Sequence, residues 1–278
     1  MFPTISSILL QSTLDKREVE MILAHVLATT RAYVIAHHER TLDEREATLV
    51  RQLIARRATG EPFAYLVGMR EFNGRNFRVS PATLIPRPET ELLVEQALAR
   101  LTEPQWLERR TSARVLDMGT GSGAIAVTLA LESPASQITA CDVSAAALEV
   151  AAQNAHALGA PVEFVQSDWY RALGARTFDL IVSNPPYVAG ADPHLRRGDL
   201  RFEPQTALTD GSADGLASLR AIVDGAAAHL EPGGWLLFEH GYDQAGACRD
   251  LLLKAGFNNL ICIRDLAGID RVSGGQIR

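Results

Sequence analysis

The chain has 278 residues, a formal net charge of −6 and a hydrophobic fraction of 47%, which predicts a globular protein with one large domain and a smaller companion. No apolar run approaches the roughly 18 residues of a membrane span, and Cys141, Cys248 and Cys262 lack the CxxC spacing of a zinc site or a disulfide framework. Residues 1–110 carry 15 Lys+Arg against 14 Asp+Glu and residues 111–278 carry 12 against 19, a balance that disfavours direct nucleic-acid binding.

Apolar residues recur at helical spacing from Ile5 to about Thr59. One such run is Val19, Ile22, Leu23, Val26 and Leu27. This spacing predicts a small helical bundle, which the breaker Gly60-Glu61-Pro62 ends. Residues 71–79 then alternate around Asn73-Gly74, a pair typical of hairpin turns, and the hairpin is expected to connect the bundle to a second domain.

After Trp106 the pattern changes to short β-branched runs separated by alanine-rich helical segments. The runs are Arg114 to Asp117, Gln137 to Asp142, Val162 to Gln166, Phe178 to Ser183, Trp235 to Glu239 and Leu260 to Arg264. Strands that alternate with helices predict a parallel α/β sheet with helices on both faces. Ligands of such sheets bind beyond the carboxyl ends of the strands, so the residues after each run are the candidate site.

The first run leads into Gly119-Thr120-Gly121-Ser122-Gly123 and then directly into a helix, which predicts a turn that binds a nucleotide-like cofactor. Gly119, Gly121 and Ala124 also fit the dinucleotide pattern GxGxx(G/A), so the glycines alone do not choose the cofactor. Asp142 ends the second run, where it is placed to accept hydrogen bonds from ribose hydroxyls. Trp169 follows the third run and offers an aromatic face for an adenine, with a plain core role as the alternative.

The fourth run leads into Asn184-Pro185-Pro186-Tyr187. Two consecutive prolines stiffen this loop and donate no hydrogen bonds, so it is rich in acceptors. Such an edge suits methyl transfer to a planar nitrogen, because the Asn184 oxygen and the Pro185 carbonyl can each accept one N–H of the target. Tyr187 can stack on the flat target group. Hydride transfer has no use for this edge, which makes a dinucleotide-dependent enzyme a remote alternative.

From the hairpin to the C-terminus, the chain resembles the HemK/PrmC family of peptide chain release factor glutamine methyltransferases. The segments that carry the resemblance, beside the glycine turn and Asn184 to Tyr187, are Leu84 to Glu91, Gly198 to Pro204, Glu239 to Gln244 and Arg264 to Gly268. Asn-Pro-Pro-Tyr alone is shared with DNA and RNA amino-methyltransferases. The additional segments therefore decide the assignment.

The resemblance implies a helical bundle over residues 1–70 that binds the release factor, a hairpin linker over 71–80, and an S-adenosylmethionine-dependent methyltransferase domain over 81–278. That domain is expected to have the class I, Rossmann-like fold, with seven strands and the last one antiparallel. The substrate implied is the glutamine of the Gly-Gly-Gln (GGQ) loop of class 1 release factors. The enzyme is expected to be a cytoplasmic monomer that binds neither membranes nor nucleic acid directly.

By the same resemblance, Gly119 to Gly123, Asp142 and Trp169 are expected to contact S-adenosylmethionine, Asn184 to Tyr187 the glutamine, and Asn184 both substrates. Other roles stay open: Glu239 and His240 are either near the site or purely structural, and Arg87, Glu89 and Thr90 either close over the cofactor or join the domains. Gly274-Gly275-Gln276 in this chain repeats the substrate motif, but a final strand is expected to bury it. A nucleic-acid amino-methyltransferase and an inactive, factor-binding fold are the competing functions.

Overall fold

The computed structural model describes residues 2–102 and 112–278. The described residues form two compact units, of which the first ends at Met69 and the second extends from Arg70 to Arg278. Within those two stretches of chain, no helix is long and apolar enough to cross a membrane.

The first unit is helical, as the spacing of its apolar residues predicts. Its helices are α1 (Ile5–Gln11), α2 (Lys16–Val26), α3 (Arg31–Ala36), α4 (Glu44–Ala58) and α5 (Phe63–Val67). Helix α1 begins at a capping box in which Thr4 and Ser7 satisfy each other's backbone N–H groups. Ile22 of α2 and Val50 of α4 are fully buried in the core of this unit.

The predicted hairpin is formed by β1 (Met69–Phe72) and β2 (Arg75–Arg78). Asn73 and Gly74 at its turn both have positive φ, as a tight two-residue turn requires. The backbone N–H and C=O of Arg78 both bond to the side chain of Asn154. The hairpin is therefore anchored within the second unit.

The second unit contains a seven-stranded sheet in the order β5-β4-β3-β6-β7-β9-β8. Its strands are β3 (Arg114–Met118), β4 (Gln137–Asp142), β5 (Val162–Gln166), β6 (Phe178–Ser183), β7 (Leu230–Glu239), β8 (Asn258–Arg264) and β9 (Asp270–Gln276). The pairs from β5 through to β7 are parallel, and β9 is antiparallel to both of its neighbours. The expected sheet of seven strands, parallel except for the last one, is thus confirmed.

Helices cover both faces of this sheet. The helices of the second unit are α6 (Glu91–Leu101), α7 (Ala124–Glu132), α8 (Ala145–Leu158), α9 (Gln205–Leu208), α10 (Ala217–His229) and α11 (Ala245–Lys254). On β6, Leu180 and Val182 pack into one core with α6 and α7, whereas Ile181 packs into the other with α10 and α11. Burial on both faces explains why the strands read as continuous apolar runs.

Strands β7 and β9 differ most from the pattern-based prediction. Strand β7 begins at Leu230, five residues before the predicted Trp235, because it continues through Pro232-Gly233-Gly234 with an irregular register against β6. Strand β9 has no apolar run, and its pairing with β7 and β8 on either side makes it a strand. Gly274 and Gly275 lie buried in β9, as expected for a final strand.

Candidate active site

A cavity of about 410 Å³ lies at the carboxyl ends of β3 to β6. The predicted site residues that line it are Gly119, Thr120, Gly121, Ser122, Asp142, Trp169, Asn184 and Pro186. Gly123, Pro185 and Tyr187, which were also predicted, do not line it. Both predicted halves of the site, the glycine turn and the Asn-Pro-Pro-Tyr loop, therefore share one cavity.

The glycine turn bends back over the end of β4. The N–H groups of Gly119 and Thr120 both donate to the Cys141 carbonyl, at 2.8 and 3.0 Å. Gly123 has φ +81°, and a Cβ there would lie 3.0 Å from the Cβ of Ala151 on helix α8. A side chain at this position would push the glycine turn away from α8, so glycine at position 123 allows the turn to pack closely against that helix.

Asp142 supports the glycine turn as well as lining the cavity. Its Oδ2 accepts the N–H of Gly121 at 2.9 Å, and its Oδ1 accepts the N–H of Ser144 at the same distance. Burial raises the pKa of this carboxyl, while the backbone donors oppose that rise. A carboxylate has about four lone-pair sites, so room remains for a hydroxyl donor.

Asn154 is a residue of the site that the sequence analysis missed. It is buried, and its amide Nδ2 donates to the carbonyls of Ser122 and Arg78, at 2.8 and 3.0 Å. It thus joins the glycine turn to strand β2. Asn154 shares the buried face of α8 with Ala147 and Ala151, so a polar residue on that apolar face was the available signal.

Asp117 is a second residue that was missed. It is buried one residue before the end of β3, and its Oδ2 accepts the Thr120 hydroxyl at 2.6 Å and the N–H of Ala126 at 3.2 Å. Burial raises the pKa of this carboxyl to about 7. The contacts fix the start of helix α7 against the glycine turn.

Trp169 lines the cavity with its backbone in the left-handed region, at φ +50°. Such a conformation is strained for a bulky residue and persists only where its surroundings hold it. Here the Ser167 hydroxyl donates to the Trp169 carbonyl at 2.6 Å. The strained backbone places the indole ring opposite the glycine turn, since a Cβ on Gly119 would be 4.0 Å from the ring.

The Asn-Pro-Pro-Tyr loop is held at both ends. The Asn184 amide Nδ2 donates to the Thr90 hydroxyl at 3.0 Å, which leaves the oxygen Oδ1 on the opposite side of the amide. At the other end, the Gln244 amide donates to the Tyr187 carbonyl at 3.0 Å, and the Tyr187 hydroxyl donates to Glu239 at 2.8 Å. The loop is thus fixed by side chains from three other segments.

The residues with open roles now have positions. Arg87 and Thr90 line the cavity, and Glu89 is exposed and does not line it. Arg87 is ion-paired with Glu203, whose other carboxylate oxygen accepts the Ile85 N–H at 2.9 Å. This buried carboxylate therefore holds the proline turn around Arg87 at the cavity wall.

His240 is turned away from the cavity. Its Nε2 faces the Ser273 hydroxyl at 2.9 Å and its Nδ1 faces the Gly241 carbonyl at 2.8 Å. Burial lowers the pKa of this imidazole. The structural alternative for His240 is the one that the contacts support.

Two family descriptions match the chain. The methyltransferase small domain matches residues 94–198, and the PrmC N-terminal domain matches residues 5–68. The release factor glutamine methyltransferase of Bordetella pertussis is 53% identical over 95% of this chain and 96% of that protein. The protein of the same name from Burkholderia pseudomallei is 50% identical over 99% of this chain and 96% of its own length.

The fold is similar to that of solved methyltransferases. The 16S rRNA N2 G1207 methyltransferase of T. thermophilus, solved with AdoMet and guanosine, aligns with a TM-score of 0.57 at 23% identity. The alignment covers 76% of this chain and 50% of that one. At this identity the likeness concerns the fold alone.

Proposed function

The chain belongs to the release factor glutamine methyltransferase family, and we propose that it methylates the side-chain amide nitrogen of the glutamine in the GGQ loop of class 1 release factors. One observation supports this reaction most directly: the glycine turn and Asn184 line the same cavity. A cofactor and an acceptor nitrogen can meet there. We place this reaction in the cytoplasm, with one copy of the chain acting on one release factor.

S-adenosylmethionine is the cofactor, and the residues at the cavity suit it. The volume of about 410 Å³ is in the range of roughly 300 to 1,000 Å³ that such ligands occupy. Asp142 offers acceptors for ribose hydroxyls, Trp169 an aromatic face for adenine, and the glycine turn close backbone approach. When bound, the cofactor supplies a methyl group on a positively charged sulfonium.

The acceptor glutamine requires hydrogen-bond acceptors for its side-chain amide. Its amide nitrogen carries two N–H groups and a lone pair that is delocalised into the neighbouring carbonyl. Asn184 lines the cavity, and its Oδ1 can accept one of these N–H groups. Pro185 does not line the cavity, and we infer that its main-chain carbonyl, next along the loop, accepts the other when the glutamine is bound. Fixing both orients the nitrogen and stabilises the positive charge that develops on it, so the residues act by positioning and electrostatics.

A labelling experiment tests this function. The chain is incubated with methyl-labelled S-adenosylmethionine and, in parallel, with a class 1 release factor, the same factor with glutamate in place of its GGQ glutamine, or duplex DNA. Label is expected in the unmodified factor alone. Label in the glutamate variant would place the modified residue elsewhere, and label in DNA would support the nucleic-acid alternative.

The Asp142→Ala variant is expected to bind S-adenosylmethionine about 1.5 to 3 kcal/mol more weakly, the scale of a hydrogen bond to a charged group plus the partners it leaves unpaired. The substitution also removes the acceptor of the Gly121 N–H, so the glycine turn loses a hydrogen bond. Isothermal titration calorimetry with S-adenosylmethionine measures the change. An unchanged dissociation constant would show that Asp142 neither binds the cofactor nor holds the turn that does.

We also propose that the helical first unit contributes to release-factor binding, since a free amino acid would not need a second unit. Deleting residues 1–68 keeps strand β1, which begins at Met69. The deletion is expected to raise the KM for the release factor far more than the KM for the cofactor. Parallel rises in both KM values, with an earlier thermal unfolding transition, would instead indicate general destabilisation.

A further inference from the structure

Glu239 is a buried carboxylate at the end of β7, with 1% of its surface exposed. Both of its oxygens are engaged: Oε2 accepts the Thr90 hydroxyl at 2.7 Å, and Oε1 accepts the Tyr187 hydroxyl at 2.8 Å. An ionised carboxylate has lone pairs and no proton to give. Two donated hydroxyls therefore suit its ionised form, and an unpaired charge at this depth would be costly.

Thr90 has a single hydroxyl proton, and it donates that proton in its hydrogen bond to Glu239. The lone pairs of the same oxygen remain available, so Thr90 must act as an acceptor toward its other neighbour. That neighbour is the amide Nδ2 of Asn184, at 3.0 Å. These hydrogen bonds therefore form a chain in which Asn184 donates to Thr90 and Thr90 donates to Glu239.

The direction of this chain fixes the orientation of the Asn184 amide. With Nδ2 committed to Thr90, the oxygen Oδ1 is the atom left for a ligand in the cavity that Asn184 lines. If these hydrogen bonds had the opposite direction, Thr90 would donate to Oδ1, and the Asn184 NH₂ would face the NH₂ of an acceptor amide. Two donors cannot bond to each other, and a buried donor left without an acceptor is destabilising.

We propose that Glu239 and Thr90 are positioning residues that fix which atom of the Asn184 amide meets the acceptor glutamine, an inference that rests on the proposed function. Neither residue has to touch the substrate through its carboxylate or hydroxyl. Glu239 contributes a second restraint through Tyr187, which lies three residues beyond Asn184 in the same loop. The Glu239 carboxylate thus fixes Asn184 Oδ1, through Thr90, and also the Tyr187 end of the same loop.

This arrangement gives an expected pH dependence. Burial is the main cause that raises the pKa of Glu239, and the charge of Glu89 raises it further, whereas the bonds from Thr90 and Tyr187 and the charge of Arg271 lower it. Only the ionised Glu239 carboxylate, which cannot donate, requires Thr90 to donate to it and so to accept from Asn184. Activity is therefore expected to fall as the pH drops through the pKa of Glu239, because a protonated carboxyl can donate to Thr90.

Two matched substitutions test the proposal. Glu239→Gln keeps the size of the side chain but introduces a donor, and Thr90→Val keeps the shape but removes the hydroxyl. Each is expected to lower kcat about 10- to 100-fold, the usual effect of losing a group that orients a direct ligand. Thr90→Ser retains the hydroxyl and is expected to recover most of the lost rate. In the pH profile of kcat, the fall at low pH (the acidic limb) that is expected for the parent should be absent in Glu239→Gln.

Circular dichroism and calorimetry with S-adenosylmethionine are run on every variant, so that loss of folding or of cofactor binding is recognised separately. A kcat for Glu239→Gln and Thr90→Val within threefold of the parent, with both substrates saturating, would overturn the proposal. So would an equal loss in Thr90→Ser and Thr90→Val, or an unchanged acidic limb in Glu239→Gln. If instead the parent chain transfers no label to a release factor, the proposed function itself fails.

Discussion

The Asn184→Ala variant is expected to show a kcat about 100- to 1,000-fold below that of the parent enzyme, the usual cost of removing one preorganised hydrogen-bonding group from an active site. The substitution removes Oδ1 and leaves the Pro185 carbonyl in the main chain. Release-factor methylation is measured at saturating S-adenosylmethionine, with cofactor affinity determined separately. A rate within a few fold of the parent would falsify the role of Asn184.

The Asn184→Asp variant distinguishes the oxygen of Asn184 from its amide. Aspartate keeps an acceptor of similar size but cannot donate to Thr90, whose single proton already belongs to Glu239. Two carboxylates would then compete for one hydroxyl proton in a largely buried site. Asn184→Asp is therefore expected to be about as damaging as Asn184→Ala. An activity more than tenfold above that of the alanine variant would contradict the amide contact.

The Gly215→Ala variant is expected to lose about 100-fold or more in kcat. A Cβ at Gly215 would lie 2.2 Å from the Tyr187 carbonyl oxygen, and the residue has φ +66°. The Asn-Pro-Pro-Tyr loop would have to move, and a displacement of about 1 Å in a catalytic group costs on the order of 100-fold in rate. The rate is measured with both substrates saturating, alongside the free energy of unfolding.

Gly211→Ala is the matched control for this variant. Gly211 has a similar left-handed φ of +78°, but a Cβ there would meet nothing within 4 Å. Both substitutions carry a left-handed backbone cost of roughly 1 to 2 kcal/mol. Gly211→Ala should therefore be destabilised while its kcat stays within a few fold of the parent. Equal losses of kcat in the two variants would show that backbone strain, and not the contact with Tyr187, is responsible.

Much of the site could be predicted because its residues are consecutive at the ends of strands. The glycine turn follows β3 directly and Asn184 to Tyr187 follow β6, so the strand pattern alone brings them to one edge of the sheet. The class I fold followed from the same pattern together with the family resemblance. Strand β9 could not be predicted from its composition, since pairing with neighbours on both sides is what forms it.

The supporting contacts could not be predicted because they join distant parts of the chain. Thr90 and Asn184 are 94 residues apart, and Arg78 and Asn154 are 76 apart. No periodicity in a single segment reports such a pair. The sequence suggested Glu239 only as a strand-end carboxylate of open role. Its hydroxyl partners became evident with the fold.

The position of β9 between β7 and β8 has a consequence for the order of folding. Strands β8 and β9 are neighbours along the chain and can pair as a local hairpin, but the edge of β7 stays open until that hairpin docks. Glu239 pairs with Val272 of β9, and the Arg271 side chain donates to the His240 carbonyl at 3.3 Å. Before docking, Glu239 lacks its backbone partner on β9 and the nearby charge of Arg271. We therefore expect refolding chains to regain cofactor binding at β3 and β4 before they regain methyl transfer, which waits for the last strand to enter the sheet.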